Sequence, residues 1–304
     1  MGAEGEPSPG RGLVATAPIS VTTPQQLRQL TGSWARAGEV VGLVPTMGAL
    51  HAGHLSLVDT ARRDCDRVVV SIFVNPLQFA PDEDFQSYPR QLQTDLELLS
   101  AQGVDACFCP KTETFYPPGF ASRVTVDAGG ELWEAALRPG HFTGVATVVT
   151  KLFAATGPCR AYFGEKDAQQ VAVVSRLAQD LDLGVQVRVC PTVRAPDGLA
   201  LSSRNALLSP AGRRSALCLS QALREASGLF RTGVREGDQL ARAAAQVISA
   251  EPGARLDYAG VVHPLDFRPV AVAGADARVL VAAGVDGVHL IDTALLGSPP
   301  LLRG

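Results

Sequence analysis

The chain has 304 residues, of which 46% are hydrophobic and 19% charged, and its formal net charge is -3. That is globular composition, long enough for one large domain or two smaller ones, and it offers no basic field for nucleic acid or an anionic membrane. No uninterrupted apolar stretch reaches the roughly 18 residues of a membrane span, and the acidic start Met1-Gly2-Ala3-Glu4-Gly5-Glu6 is unlike a secretory signal. Residues 1–17, rich in Gly, Pro and Ser, read as a disordered leader. The six cysteines, at 65, 107, 109, 159, 190 and 218, form neither a CxxC pair nor a Cys/His group with zinc spacing, which predicts reduced thiols in a cytoplasmic protein. Cys107 and Cys109 flank Phe108 and share one face of a strand, as core filling.

In chain order, Thr23-Pro24-Gln25-Gln26 starts a helix, with Thr23 as cap, Pro24 at the first position and Gln26 completing a capping box. Val40 to Val44 is a buried strand ending at Pro45, and a helix follows from about Ala52 to Arg63. Strands at Arg67–Val74 and Val104–Cys109 bracket a helix from about Arg90 to Gln102. Then come a helix at Phe142–Thr156, a strand at Arg160–Phe163, a helix at Asp167–Asp180 and a strand at Val185–Val189. Such alternation predicts an α/β fold, a Rossmann-like doubly wound parallel sheet spanning 18–192. Ligands in such sheets lie beyond the carboxyl ends of the strands. From 193 to 304 the pattern changes to two helices, Pro210–Phe230 and Asp238–Ala250, and strands at Leu256–Val262, Val279–Ala283 and Val288–Ile291. This predicts a second, smaller α+β domain.

The sharpest motif is Pro45-Thr46-Met47-Gly48-Ala49-Leu50-His51-Ala52-Gly53-His54, at a strand end that opens a helix. Backbone N–H groups and the positive end of the helix dipole converge there, a ready phosphate site. Its two imidazoles can donate to phosphate oxygens and stabilise developing charge. An isolated HxxH pair would more simply be two surface histidines, but the whole string at a strand–loop–helix junction favours an anion site. Gln78, after Asn75-Pro76, offers a donor and an acceptor to a small polar substrate, or is a solvated loop amide. Gly164-Glu165-Lys166-Asp167 closes a strand and opens a helix. There Lys166 is a mobile charge for phosphate or a surface lysine, and Asp167 holds a ribose or caps the helix. Ser202-Ser203-Arg204, after the turn Pro196-Asp197-Gly198, suits phosphate recognition or is an ordinary loop. His141, beside Arg138 and Gly140, lines an acid pocket or caps a helix. Gln169 and Gln170 carry little signal of their own as exposed helix residues, and His263 and His289 read as structural.

Taken together, this ordered set resembles the pantothenate synthetase (pantoate–β-alanine ligase) family of the His-x-Gly-His nucleotidyltransferases. Further stretches carry the likeness over residues 18–292: Phe73-Val74-Asn75-Pro76-Leu77-Gln78-Phe79, Tyr88-Pro89-Arg90, Arg138-Pro139-Gly140-His141-Phe142-Thr143-Gly144-Val145, Phe163-Gly164-Glu165-Lys166-Asp167-Ala168-Gln169-Gln170, and Pro191-Thr192-Val193-Arg194 followed by Asp197 to Asn205. The resemblance implies ATP and Mg²⁺, the small-molecule substrates pantoate and β-alanine, a pantoyl adenylate intermediate and a homodimer, with no nucleic-acid or membrane partner. It implies ATP contacts from Met47, Gly48, Ala49, Leu50, His51, Ala52, Gly53, His54, Gly164, Glu165, Lys166, Asp167, Val193, Leu201, Ser202, Ser203 and Arg204. Among these, His54, His51, Lys166 and Arg204 would be catalytic. Gln78 and Gln170 would contact the organic substrates, with His141 and Arg138 as further pocket residues. The chain departs from the family's usual pattern at Ala168, where an aromatic is usual, at Leu201, where methionine is usual, and at His289, where a more basic residue is usual. The alternatives are a paralogous ligase joining a different acid and amine, and a nucleotide-binding relative without turnover.

Overall fold

A computed structural model of the chain describes residues 16–80, 83, 85–127 and 131–299. Apart from its last two positions, the expected leader lies outside them. Six parallel strands, β1 (Ile19–Val21), β2 (Val41–Thr46), β3 (Arg67–Ile72), β4 (Ala106–Phe108), β5 (Cys159–Gly164) and β6 (Val185–Cys190), form one sheet in the order β1-β4-β3-β2-β5-β6. The connecting helices are α1 (Pro24–Arg36), α2 (Ala52–Asp64), α3 (Leu92–Ala101), the single turns α4 (Thr112–Phe115) and α5 (Glu134–Leu137), α6 (His141–Thr156) and α7 (Ala168–Asp180).

The strands are apolar on both faces because both are covered, and the two-residue period of a strand sorts their side chains. Leu43, Val69, Phe108 and Phe163 join the cluster that α1, α6 and α7 close with Leu27, Val149, Leu152 and Leu177. Their neighbours Val44, Val68, Val70, Cys107 and Tyr162 point the other way, against Leu57, Val58 and Ala61 of α2 and Leu99 of α3. The capping box at the start of α1 is present: Thr23 Oγ1 accepts from Gln26 N at 3.2 Å and Gln26 Oε1 accepts from Thr23 N at 3.1 Å.

From β2 the chain steps outward to β3 and β4, then returns to lay β5 on the other side of β2. Between β2 and β5 is therefore the switch point, where a crevice opens beyond the carboxyl ends. β2 pairs with β3 along its whole length but with β5 only at Gly42 and Leu43. Pro45, which has no N–H to give, lies past that short ladder, so the strand continues to Thr46 rather than stopping before the proline. The short edge strand β1 carries too little pattern for the sequence reading, which begins at Thr23.

In the C-terminal domain, α8 (Pro210–Ser215), α9 (Leu217–Arg231) and α10 (Gly237–Ser249) precede an antiparallel sheet of β7 (Ala254–Val262), β8 (Arg278–Val285) and β9 (Val288–Leu295). The single helix expected over Pro210–Phe230 is broken at the buried Ala216, where Leu219 N turns to the i−3 carbonyl of Ala216 at 3.3 Å. Leu219, Leu223, Leu240 and Ile248 of the helices cover Val279, Val281 and Ala283 of β8. Asp286 and Gly287, both at positive φ, make the two-residue turn between β8 and β9. The two parts of the chain meet where Trp133 Nε1 donates to Phe267 O at 2.8 Å and Arg278 pairs with Glu165 at 2.9 Å.

Candidate active site

β2 ends at Thr46 and α2 begins at Ala52, so the His51/His54 string turns at the mouth of the crevice. His51 is the cap of α2, its Nδ1 accepting from Gly53 N at 3.1 Å. That bond places the ring proton of the neutral form on Nε2, as a donor. A Cβ on Gly53 would lie 2.8 Å from His51 Cε1, so this packing requires glycine. The His51 and His54 rings lie 4.1 Å apart between centroids. His54 Nδ1 is buried without a hydrogen-bond partner among the described residues. Buried polar atoms are nearly always hydrogen-bonded, so this nitrogen is an exception at the mouth of the crevice. Burial first, then the charge of Lys166, lowers the His51 pKa to about 4. Burial, then His51 and Lys166, lowers that of His54 to about 3. Both rings are therefore neutral at pH 7 in this structure.

Across the crevice β5 ends in Gly164, and a single 3₁₀ turn, Glu165–Asp167, leads into α7. Lys166 Nζ stands 3.9 Å from Asp167 Oδ1. Asp167 occupies the N-cap position of α7, but its side chain makes no cap hydrogen bond there. Glu165 points away and pairs with Arg278. The Ser202-Ser203-Arg204 segment closes a third side: Ser202 Oγ accepts from Arg204 N at 3.3 Å, and the Ser203 hydroxyl donates to Ala49 O at 3.0 Å. The Arg204 guanidinium lies 6.0 Å from the Tyr88 ring centre.

Deeper in the crevice, Asn75 caps the 3₁₀ turn Pro76–Gln78 and donates through Nδ2 to Gln78 Oε1 at 3.0 Å. One acceptor of Gln78 is thereby used, and its Nε2, 3.3 Å from Met47 Sδ, is presented to the cavity as a donor. His141 is the first residue of α6 rather than its cap, which is Gly140. Its Nδ1 donates to Gln78 O at 2.9 Å, and its Nε2 faces Arg138 Nη1 at 3.3 Å. Burial, then the Arg138 charge, lowers its pKa to about 4, so it too is neutral. Arg138 is anchored by Glu83 at 2.8 Å. Neither glutamine of α7 is exposed. Gln169 is buried, accepting from Glu134 N at 3.1 Å and donating to Leu132 O at 3.0 Å, while Gln170 lines the crevice.

Two adjoining cavities result. The larger, about 230 Å³, collects Met47, His51, Gly53, His54, Gln78, Gly164, Val193, Leu201 and Ser203. The smaller, about 80 Å³, reaches toward the C-terminal sheet, to Tyr258 and His289. Arg138, His141, Lys166, Asp167, Gln170, Ser202 and Arg204 border both. Gly48, Ala49, Leu50, Ala52 and Glu165 line neither; Leu50 is a core residue under the sheet. Ala168 packs against Val262, Phe267 and Leu280 of the C-terminal domain. The sequence reading gave no site role to four residues that shape the site: Asn75 and Tyr88, which stand inside the motif stretches, and Asp95 and Glu134, which stand outside them. Only Asn75 carried a local signal, an Asn-Pro turn start. His289, expected to be structural, donates to Asp257 at 2.8 Å and reaches across to Glu134 at 2.7 Å.

A switch-point crevice rimmed by two neutral imidazoles, a lysine and an arginine, with an amide-lined pocket beneath, defines an α/β protein built to receive an anionic nucleotide beside a small polar substrate. The profile of the pantoate-β-alanine ligase family matches residues 19–295. A pantothenate synthetase of Rubrobacter xylanophilus is 52% identical over 282 residues, covering 90% of this chain and 97% of its own. The crystal structure of pantothenate synthetase from Thermus thermophilus superposes with a TM-score of 0.86 at 47% identity, covering 91% of this chain and 99% of that one. Pantoate-β-alanine ligase from Francisella tularensis, solved in complex with β-γ ATP and β-alanine, gives a TM-score of 0.77 at 35% identity over 93% of this chain and 100% of that one. The chain belongs to the pantoate–β-alanine ligase family, and it is an ATP-using ligase.

Proposed function

We propose that the enzyme condenses D-pantoate with β-alanine in two steps, a route to the coenzyme A precursor pantothenate. The pantoate carboxylate attacks the α-phosphorus of ATP in line, forming pantoyl adenylate and releasing pyrophosphate. The β-alanine amine then attacks the activated carbonyl, and AMP leaves with the oxygen that bridged carbon and phosphorus. No protein nucleophile is needed; positioning and charge stabilisation suffice. The observation that carries this reading is the adjacent His51/His54 pair beside Lys166, with a buried nitrogen on His54 that has no partner among the described residues.

Lys166 and Arg204 supply positive charge for the phosphates, and the neutral rings of His51 and His54 serve as hydrogen-bond donors. A nucleotide's negative charge favours the imidazolium and works against the burial that keeps these rings neutral. The donor Nε2 of Gln78, together with Gln170, suits the oxygens of pantoate. Mg²⁺ reaches the site on the triphosphate; Lys166, Arg204 and the two neutral imidazoles complement phosphate, and Asp167 is a single carboxylate beside Lys166. The part of the chain after residue 192 closes over the nucleotide, a role supported by the Ser203 contact to Ala49. The family resemblance supports a homodimer. Six free thiols support the cytoplasm, and no helix among the described residues is long and apolar enough to cross a membrane.

Purified protein given MgATP, D-pantoate and β-alanine releases AMP only when all three are present. A panel of other acids and amines shows strict preference for this pair. AMP release with a different acid, or none with any, would contradict the assignment.

A further inference from the structure

One buried carboxylate next to the crevice has no part in the chemistry above. Asp95, in the first turn of α3, is 1% exposed. Its Oδ2 accepts from Ala49 N at 2.9 Å and its Oδ1 from Leu50 N at 2.8 Å. Among the described residues no basic side chain is paired with it. A carboxylate this deep is tolerated only where hydrogen bonds replace its hydration, and here those bonds come from the backbone of the loop that delivers His51.

That loop needs holding. Gly48 and Ala49 are consecutive residues at positive φ, 84° and 50°. Glycine enters this region freely, but alanine is strained there. The Ala49 carbonyl is held from the other side by the Ser203 hydroxyl at 3.0 Å. The strained residue is thus gripped at its N–H end by α3 and at its C=O end by the Ser202-Ser203-Arg204 segment. His51, the cap of α2, follows two residues later. A carboxylate accepts both amides at once. A carboxamide has one oxygen and turns an N–H toward the other amide.

We infer that Asp95 is a positioning residue for adenylate formation, holding the left-handed Gly48–Ala49 turn so that His51 and His54 face the nucleotide phosphates. This rests on the adenylation reading, and it is tested separately from it. The isosteric Asp95→Asn variant is compared with the parent in MgATP–pyrophosphate exchange with pantoate and in ¹³C-histidine NMR, where five histidines give resolvable signals.

The expected result is a fall in exchange of about a hundredfold, the scale of an ångström-level misplacement, with KM for β-alanine unchanged. The His51 and His54 resonances move while those of His263 stay. Adding Ala49→Gly, which adopts the turn without strain, recovers part of the lost exchange, a rescue that a purely stabilising role would not give. A folded Asp95→Asn protein with parental exchange and unmoved His51 and His54 signals overturns the inference. If Asp95→Asn does not fold, Asp95→Ser takes its place with the same outcomes. Should the parent show no exchange with pantoate, the adenylation reading fails, while the NMR comparison still decides whether Asp95 sets the histidines.

Discussion

Two histidine sites about the same crevice have been given opposite charge states. His51 and His54 are buried beside Lys166, and burial and the lysine's charge outweigh the opposing Asp167 carboxylate near His51, so their pKa values fall to about 4 and about 3. His289, in the C-terminal sheet, is also buried, and burial again works against its charge. There, hydrogen bonds and charge from Glu134, then from Asp257, outweigh burial and raise its pKa. Both His289 nitrogens donate to carboxylates, at 2.8 Å and 2.7 Å, which requires the imidazolium. Burial alone does not decide the charge of a histidine; the sign of what it is buried with does. One site keeps its donors uncommitted for an incoming anion. The other uses its charge to join β9 to the Glu134 turn.

The sharpest way to break this contrast is to remove the groups that line the crevice. His54→Ala or Lys166→Ala lowers kcat for adenylation by about a hundredfold to a thousandfold, the scale seen when a preorganised donor is lost. Urea unfolding of these variants shows little loss of stability. A larger fall in stability than in activity would reverse the roles assigned to the two regions.

Glu134→Ala has the opposite profile. It deprives His289 and the Tyr258 hydroxyl of a common acceptor, at 2.7 Å and 3.1 Å. The cost is about 1–3 kcal/mol of unfolding free energy, because buried donors are left unsatisfied.

The two sites also give pH slopes of opposite sign. Groups with depressed histidine pKa values favour the native state when neutral. Their stabilisation is complete above the unfolded value, about 6.5, and is lost as pH falls toward the values near 4 and 3. The raised pKa of His289 does the reverse: its contribution is full below about 6.5 and disappears as pH rises through its folded value. Unfolding measured across that window in His289→Gln flattens the alkaline side and leaves the acid side in place. The smallest effect is expected of Leu201→Met. It conserves volume against Gly53 and shifts stability by less than about 1.5 kcal/mol.

The parallel sheet and its helices were legible because doubly covered strands are short runs of Val and Ile between caps and glycines, as at Arg67–Ile72 and Thr23–Gln26. The residues gathered around the crevice were legible for a related reason: His51, Gly53, His54, Lys166 and Ser202–Arg204 sit in compact motifs at strand ends. Residues whose role lies in distant contacts were not. Asp95 is one polar position in an amphipathic helix, and its partners are 45 and 46 residues away. Gln169 looks like an exposed helix residue until the Glu134 turn is packed over it. His289 and Glu134 are 155 residues apart, and no local pattern joins them. Glu165 sits inside a recognised motif yet faces Arg278, because motif membership does not say which way a side chain turns.

The most direct test of the account is to follow the carboxylate oxygen. With D-pantoate labelled with ¹⁸O in its carboxyl group, the adenylate route moves one labelled oxygen into the phosphate of AMP and leaves the other in the amide carbonyl of pantothenate. The account predicts labelled AMP, formed in step with product and lost with it in His54→Ala. Unlabelled AMP, or label in inorganic phosphate formed alongside ADP, would contradict attack by the carboxylate on the α-phosphorus.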